Sequence, residues 1–381
     1  MTKTNSPFTS AFLPLLGKHS HRVHLFVQKL WVYFLYATGS FWWAKRQLRQ
    51  SGSIVVLMFH RVLKDEEFKR PQVLPGVVVR QRTFRELAQH VSKHYDAIPI
   101  HRAVPGEVGD KLRVAFTFDD GWTDNYAVAL PIAIEHNIPM TIFVCPGLIG
   151  TSQPFWPERM TSLFAASGGS IKRSEIEEMI EQLKKCSPED RELAIDQLVH
   201  RELLNGNCSD KLAEQPVPET STLSWDEILE MNKGNISFGS HTQTHQILTT
   251  VPLDQVRSEI SLSKIELERT LNLPCETFAY PNGNWSPEIR DIVAQEGFKL
   301  AFTTQRGAWT PDCDPLAIPR ANVYEGNLVW PNGRFSPAMF EYTTFWKVWR
   351  ATKKARIPIP ENETNTTSSA KQPATVNACQ E

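Results

Sequence analysis

Short blocks of branched and aromatic residues alternate along the chain with stretches of helical period. Ser53 to Phe59 (SIVVLMF), Lys111 to Phe118 (KLRVAFTF) and Pro139 to Val144 are apolar runs of strand length, the pattern of strands covered on both faces. Ile236 to Gly239, Thr277 to Tyr280 and Lys299 to Thr303 repeat it in shorter form. Between them, Phe84, Leu87, Ala88 and Val91 recur at helical spacing within Thr83 to Tyr95. Tyr126 to Glu135, Leu253 to Leu271 and Ser286 to Glu296 read as further helices, and Ser224 as the N-cap of one over Trp225 to Met231. This alternation predicts a parallel α/β architecture, barrel-like or open.

Three segments depart from the alternation. Residues 155–222 read as a helical insertion: Ile176, Met179, Ile180 and Leu183 repeat at helical spacing, as do Leu193, Leu198, Val199 and Leu203, with Glu and Lys on the other face. Residues 1–50 form an aromatic-rich N-terminal segment. Its cleanest apolar run, Leu30 to Ala37, is far short of the roughly 20 residues that span a bilayer. Trp31, Tyr33, Tyr36, Trp42 and Trp43, followed by Lys45, Arg46 and Arg49, read equally as a helix lying on a membrane surface through residues 25–46 or as one packed on the main domain. After a main domain over 51–335, residues 336–359 read as a C-terminal helix, and 360–381, rich in Thr, Ser, Asn and Pro, as a disordered tail.

Lys and Arg number 41 against 42 Asp and Glu, which argues against a nucleic-acid partner recruited by bulk positive charge. The six Cys form no CxxC pair and read as isolated thiols, Cys145 as a small buried hydrophobe. Residues 1–22 lack the apolar core of an export signal. The expected location is therefore cytoplasmic, peripheral at the inner face of the membrane.

Polar clusters follow three of the strands, and in α/β folds sites are built at strand carboxyl ends. Thr117-Phe118-Asp119-Asp120-Gly121-Trp122 places two carboxylates where Gly121 permits a turn. Taken alone it is equally an ordinary Asp-Asp-Gly turn. Ser240-His241-Thr242-Gln243-Thr244-His245 carries two His four apart, which can converge on one ion from a helical turn or a tight loop, or can be plain surface His. Together, Asp120, His241 and His245 make three ligands with one open position, the pattern of a catalytic metal site, and Asp119 stands beside them as a base.

With these residues in view, the chain resembles the polysaccharide deacetylases of carbohydrate esterase family 4, which carry the NodB homology domain. The stretch Thr117–Gly121 (TFDDG) is similar to the family's first motif, and His241–His245 (HTQTH) to its second. Pro281-Asn282-Gly283, in FAYPNG, resembles the third, and Leu57-Met-Phe-His60-Arg61-Val62 the opening strand of many bacterial members. The similarity runs over roughly residues 53–325. It implies a deformed (β/α) barrel of about seven parallel strands. It also implies a divalent metal, zinc in the first instance, held by Asp120, His241 and His245, with Asp119 as general base. Tyr280, Pro281 and Asn282 would line the substrate, the Asn282 N–H facing the oxyanion.

Two positions depart from the family's pattern. Ala279 stands where many members carry an Arg that holds the base, and Arg320 is the candidate substitute from another strand. No His follows His245, so the late general acid is missing, and His60 is the candidate in its place. Trp156, Trp285 and Trp309 are candidates for stacking on a sugar, though packing is the readier explanation of each. The expected activity is metal-dependent removal of an N-acetyl group from an amino sugar in a polysaccharide, lipid-linked saccharide or precursor. The alternatives are a non-sugar amide hydrolase and a silent carbohydrate-binding or assembly protein on the same scaffold.

Overall fold

A computed structural model of the chain describes residues 30–355 apart from 71, 152–154, 168–170, 205–220 and 235. The expected tail over 360–381 lies outside the described residues, as do residues 1–29 of the N-terminal segment. The strands are β1 (Ile54–Phe59), β2 (Arg61–Leu63), β3 (Val78–Arg80), β4 (Asp96–Ala97), β5 (Arg113–Phe118), β6 (Met140–Val144), β7 (Ile236–Ser240), β8 (Thr277–Ala279), β9 (Leu300–Phe302) and β10 (Ala321–Asn322). The main sheet runs β10-β1-β5-β6-β7-β8-β9, with β4 added beside β5. Its pairings are all parallel.

The sheet curls back on itself. Ile318, just before β10, bridges Phe302 of β9: the Ile318 N–H donates to the Ala301 carbonyl at 2.8 Å and the Thr303 N–H to the Ile318 carbonyl at 2.9 Å. β10 then pairs with β1. The seven-strand path is thus a deformed (β/α) barrel.

The period of two along each strand sorts the core. Ile54, Val56, Ala115, Phe143, Ala279, Phe302 and Ile318 pack together inside the barrel. Val55, Leu57, Phe59, Val114, Phe116, Phe118, Ile142 and Val144 face outward into the larger core shared with the helices. Burying one such Phe stabilises by about 1.5–3 kcal/mol. The barrel interior is tightly filled: a Cβ on Gly239 would stand 2.7 Å from the Phe143 ring.

The helices Gln81–His94, Trp225–Met231, Leu253–Leu271 and Pro287–Gln295 sit within two residues of where the pattern predicts them. Ser224 and Ser286 cap two of them by accepting from the Glu227 and Ile289 N–H groups. Within 155–222, the helices Trp156–Ala166, Arg173–Leu183 and Pro188–Leu204 share a small core of their own. Leu193 is not part of it. That residue is exposed, because Ile195 and Leu198 set the buried face of the helix. The short pair β2–β3 was not visible in the sequence pattern. At the chain's far end, helical structure runs from Pro337 to Ala355 with a wider turn over Tyr342–Trp346.

Candidate active site

In β5 the inward positions are Ala115 and Thr117, and the next is Asp119, where the strand ends. Asp120 and Gly121 then adopt left-handed backbone, with φ of 76° and 68°. The turn swings Asp120 back beside Asp119, so both carboxylates line one cavity of about 310 Å³. A Cβ at position 121 would lie 2.7 Å from Val144 Cγ1, so only glycine allows the turn to pack on β6.

The two His come from a loop after β7 rather than a helical turn: Thr242 and His245 have φ of 67° and 63°. The helix Leu253–Leu271 braces this loop. Glu259 accepts from the Thr244 N–H at 2.8 Å and from its hydroxyl at 2.6 Å. Gln243 Nε2 donates to Glu266 at 2.8 Å, and the Ser240 and Ser263 hydroxyls meet at 2.6 Å.

Asp120 Oδ1 lies 3.5 Å from His241 Nε2 and 3.2 Å from His245 Nε2. The three side chains offer ligand atoms that all lie within 4.8 Å of one another. One carboxylate oxygen and two imidazole nitrogens form a donor set that suits zinc and similar divalent ions. The surroundings fit as well. His241 Nδ1 donates to the Ala279 carbonyl at 2.7 Å, which leaves the Nε2 lone pair facing Asp120. Trp122 Nε1 donates to Asp120 Oδ2 at 3.0 Å and fixes the second carboxylate oxygen. Burial raises the Asp120 pKa, but the His241 and His245 rings against its carboxylate outweigh it and hold the group well below the usual carboxylate range.

Arg320 reaches Asp119 from the segment that closes the barrel. Its two terminal nitrogens donate to the two Asp119 oxygens, each at 2.7 Å. The same guanidinium donates to the Thr303 carbonyl at 3.0 Å and to Thr117 Oγ1 at 3.2 Å. Burial pushes the Asp119 carboxyl up, and the Arg320 charge more than offsets this, leaving it below its ordinary value. Asp119 is therefore ionised at neutral pH.

The remaining candidates divide. Asn282, at φ 55°, lines the cavity. Tyr280 and Pro281 do not: the Tyr280 hydroxyl is committed to the Leu316 carbonyl at 2.9 Å in the core, and Pro281 is buried without an N–H to offer. His60 lines the cavity with its Nδ1 buried and unpartnered, and burial lowers its pKa so that the ring is uncharged at neutral pH. Trp156 lines the cavity, whereas Trp309 is barrel core and Trp285 packs beside Tyr280.

Sequence reasoning missed Glu158. It stands in the first turn of Trp156–Ala166 and faces the same cavity, joined there by Ile180 and Lys184 from the next helix. Its carboxyl has no partner among the described residues beyond its own N–H. Burial first, then the Asp120 charge, push it up to about 8. The only available sequence signal was an acid beside the cleft candidate Trp156.

The sequence model of the family described as polysaccharide deacetylase matches residues 107–301. The chain belongs to the polysaccharide deacetylase family. That stretch carries β5 through β8 and with them both carboxylates and both His. A curated relative, YxkH of Bacillus subtilis (strain 168), provisionally named a polysaccharide deacetylase, is 22% identical over 213 residues, 56% of this chain. The chain spans about half that relative's length, 52%. Among solved structures, the Streptococcus pyogenes deacetylase PplD in complex with acetate aligns with a TM-score of 0.51 at 22% identity. The alignment covers 77% of this chain and 98% of that one, a likeness of fold.

Proposed function

We propose that this polysaccharide deacetylase family member is a metal-dependent hydrolase that removes an N-acetyl group from an amino sugar. One observation carries the reading: Asp120, His241 and His245 converge on a common point while Asp119, clamped by Arg320, stands free of that cluster in the same cavity. A structural metal site would need no ionised, preorganised carboxylate beside it. A cavity of about 310 Å³ is at the small end of ligand pockets, which favours one sugar unit with its acetamido arm over an engulfed polymer segment.

A divalent metal held by Asp120, His241 and His245, with zinc the best match to the donors, would supply Lewis acidity toward the acyl carbonyl. Asp119, ionised and fixed in direction by Arg320, takes a proton from the attacking water. The Asn282 backbone is the candidate donor to the developing oxyanion. The water oxygen forms the new C–O bond, and collapse of the oxyanion then breaks the C–N bond, giving acetate and the sugar amine. The nitrogen needs a proton to leave. His60 is uncharged at neutral pH, while Glu158 still holds a proton there, so Glu158 is the group in the cavity suited to donate it. Asp119 then passes its proton to solvent and Glu158 takes one up, so both groups return to their starting states.

The test is acetate release across free, nucleotide-linked and lipid-linked N-acetylhexosamines, before chelation, after it, and after reloading with zinc. Release that disappears with chelation and returns with metal supports the reading. A metal-loaded chain that releases acetate from none of them overturns it in favour of a silent saccharide-binding protein.

A further inference from the structure

The helix over residues 30–37 and the helix Ser40–Gln50 pack on the body by one face only. Val32, Leu35 and Phe41 bury against Ala338 and Met339, and Ala44 and Leu48 continue the buried stripe. The other face stays in solvent: Trp31 is 54% exposed, Phe34 56% and Trp42 60%, with Leu30, Tyr33, Tyr36 and Trp43 also exposed. Trp31 and Phe34 stack on each other at 5.4 Å rather than on the domain. A contiguous apolar patch of this kind marks an interaction surface.

Charge identifies the partner. Residues 30–50 contain Lys45, Arg46 and Arg49 and no Asp or Glu; the helix Lys347–Ala355 contains Lys347, Arg350, Lys353 and Lys354 and likewise no acid. Trp43 meets Trp349 at 4.6 Å, so the two helices form one surface. This acid-free patch stands out in a chain with 41 basic against 42 acidic residues. Beside it a groove of about 710 Å³ is lined by Trp42, Arg46, Arg49, His94 and Lys111, with Asp110 and Glu341 also on its wall. Glu341 is taken up by Lys45 at 2.5 Å, while Arg46, over the Trp42 ring at 5.4 Å, lines the groove. Aromatic rings with flanking cations are what a bilayer interface with anionic headgroups selects. A second copy of the chain is the poorer occupant, because it would set like charges against like.

We propose that the surface built by residues 30–50 and Lys347–Ala355 docks this chain on an anionic membrane, rings in the interface and cations on the headgroups. No helix among the described residues is long and apolar enough to cross a membrane, and the geometry is that of a segment lying on one. Docking does not depend on the hydrolase reading.

The experiment is flotation of the full chain with phosphatidylcholine vesicles, with and without phosphatidylglycerol. The expected result is co-flotation with the anionic vesicles only, with release as salt rises toward about 0.5 M. Two variants test the surface: Trp31→Ser with Trp42→Ser, and Arg46→Glu with Lys353→Glu and Lys354→Glu. Each is expected to weaken vesicle binding about tenfold or more with the melting temperature unchanged. Absence of flotation, equal flotation with neutral vesicles, or variants that bind like the parent would each overturn the proposal. So would sedimentation showing these residues sealed in a dimer that excludes vesicles. Vesicle binding requires no catalysis, so the outcome is independent of acetate release.

Discussion

Arg320 and Asp119 lie 201 positions apart in sequence and meet through two parallel hydrogen bonds of 2.7 Å, the guanidinium fully buried and the carboxylate nearly so. The pair joins the strand that ends in the carboxylates to the segment that closes the barrel. Closing the fold and charging the base are therefore one event. Arg320 also ties down the Thr303 carbonyl after β9, so its loss would loosen the seam itself.

Removing one partner of a buried pair strands the other. Arg320→Ala is expected to destabilise by about 3–5 kcal/mol and to cut acetate release sharply, since Asp119 would lose both its charge partner and its direction. Asp119→Asn keeps the shape but strands the buried Arg320 charge, so it is also expected to cost stability, while keeping metal bound and lowering kcat by about 10²–10⁴. The double variant Arg320→Met with Asp119→Asn should recover much of the stability without the activity. Denaturant melts and metal analysis check this set. A stable, fully active Arg320→Ala would remove the argument.

Much of this arrangement was legible in the chain because it obeys local rules. Continuous apolar runs of strand length placed β1, β5 and β6, and Asp119 sits at the next inward register after Ala115 and Thr117. The TFDDG and HTQTH segments carry their chemistry in adjacent residues. What was not legible depends on tertiary closure. Nothing local to Tyr280 says that its hydroxyl turns away to the Leu316 carbonyl. Nothing local to Ala279 says that its carbonyl sets the His241 tautomer. Glu158 lies in an insertion whose charged positions read as solvated surface, and only its packing over the barrel mouth makes it part of the cavity.

Trp122 tests the metal site from outside the ligand set. Its Nε1–H holds the second Asp120 oxygen, while its ring lies between the Arg61 guanidinium at 4.3 Å and Phe155 at 4.9 Å. Arg61 is in turn held by Asp124 at 2.8 Å. Trp122→Phe keeps the sandwich and deletes the one hydrogen bond. Metal affinity, followed by competition with a chelating dye, should fall about 10–100-fold with little change in stability. Unchanged affinity would show that Asp120 needs no such support.

His90 gives a pH prediction remote from the active site. It is packed among Tyr95, Phe335 and Phe340, its Nε2 is buried and unpartnered, and burial lowers its pKa to about 4. The unfolded chain takes up this proton near 6.5, while the folded chain resists until about 4. Between those values the unfolded state binds more protons, so this contribution to stability is present above 6.5 and is lost as pH falls. His90→Leu should therefore reduce the drop in melting temperature between neutral pH and about pH 5. A variant whose melting curve shifts with pH as the parent's does would contradict it.

Glu158 supplies the kinetic counterpart. Its proton-bearing form is lost as pH rises through about 8, so acetate release should decline above that value. Folded-state uptake of this proton also means that stability declines as pH rises from the ordinary carboxylate range toward 8, since the folded chain then binds the extra proton. Glu158→Gln keeps the shape and a hydrogen-bond donor but cannot transfer a proton. It should lower kcat by about 10²–10⁴ and erase the alkaline limb of the kcat profile, with bound metal retained. A group that merely shaped the cleft would move KM and leave the limb in place; that result would return the search for the proton donor to solvent or to His60.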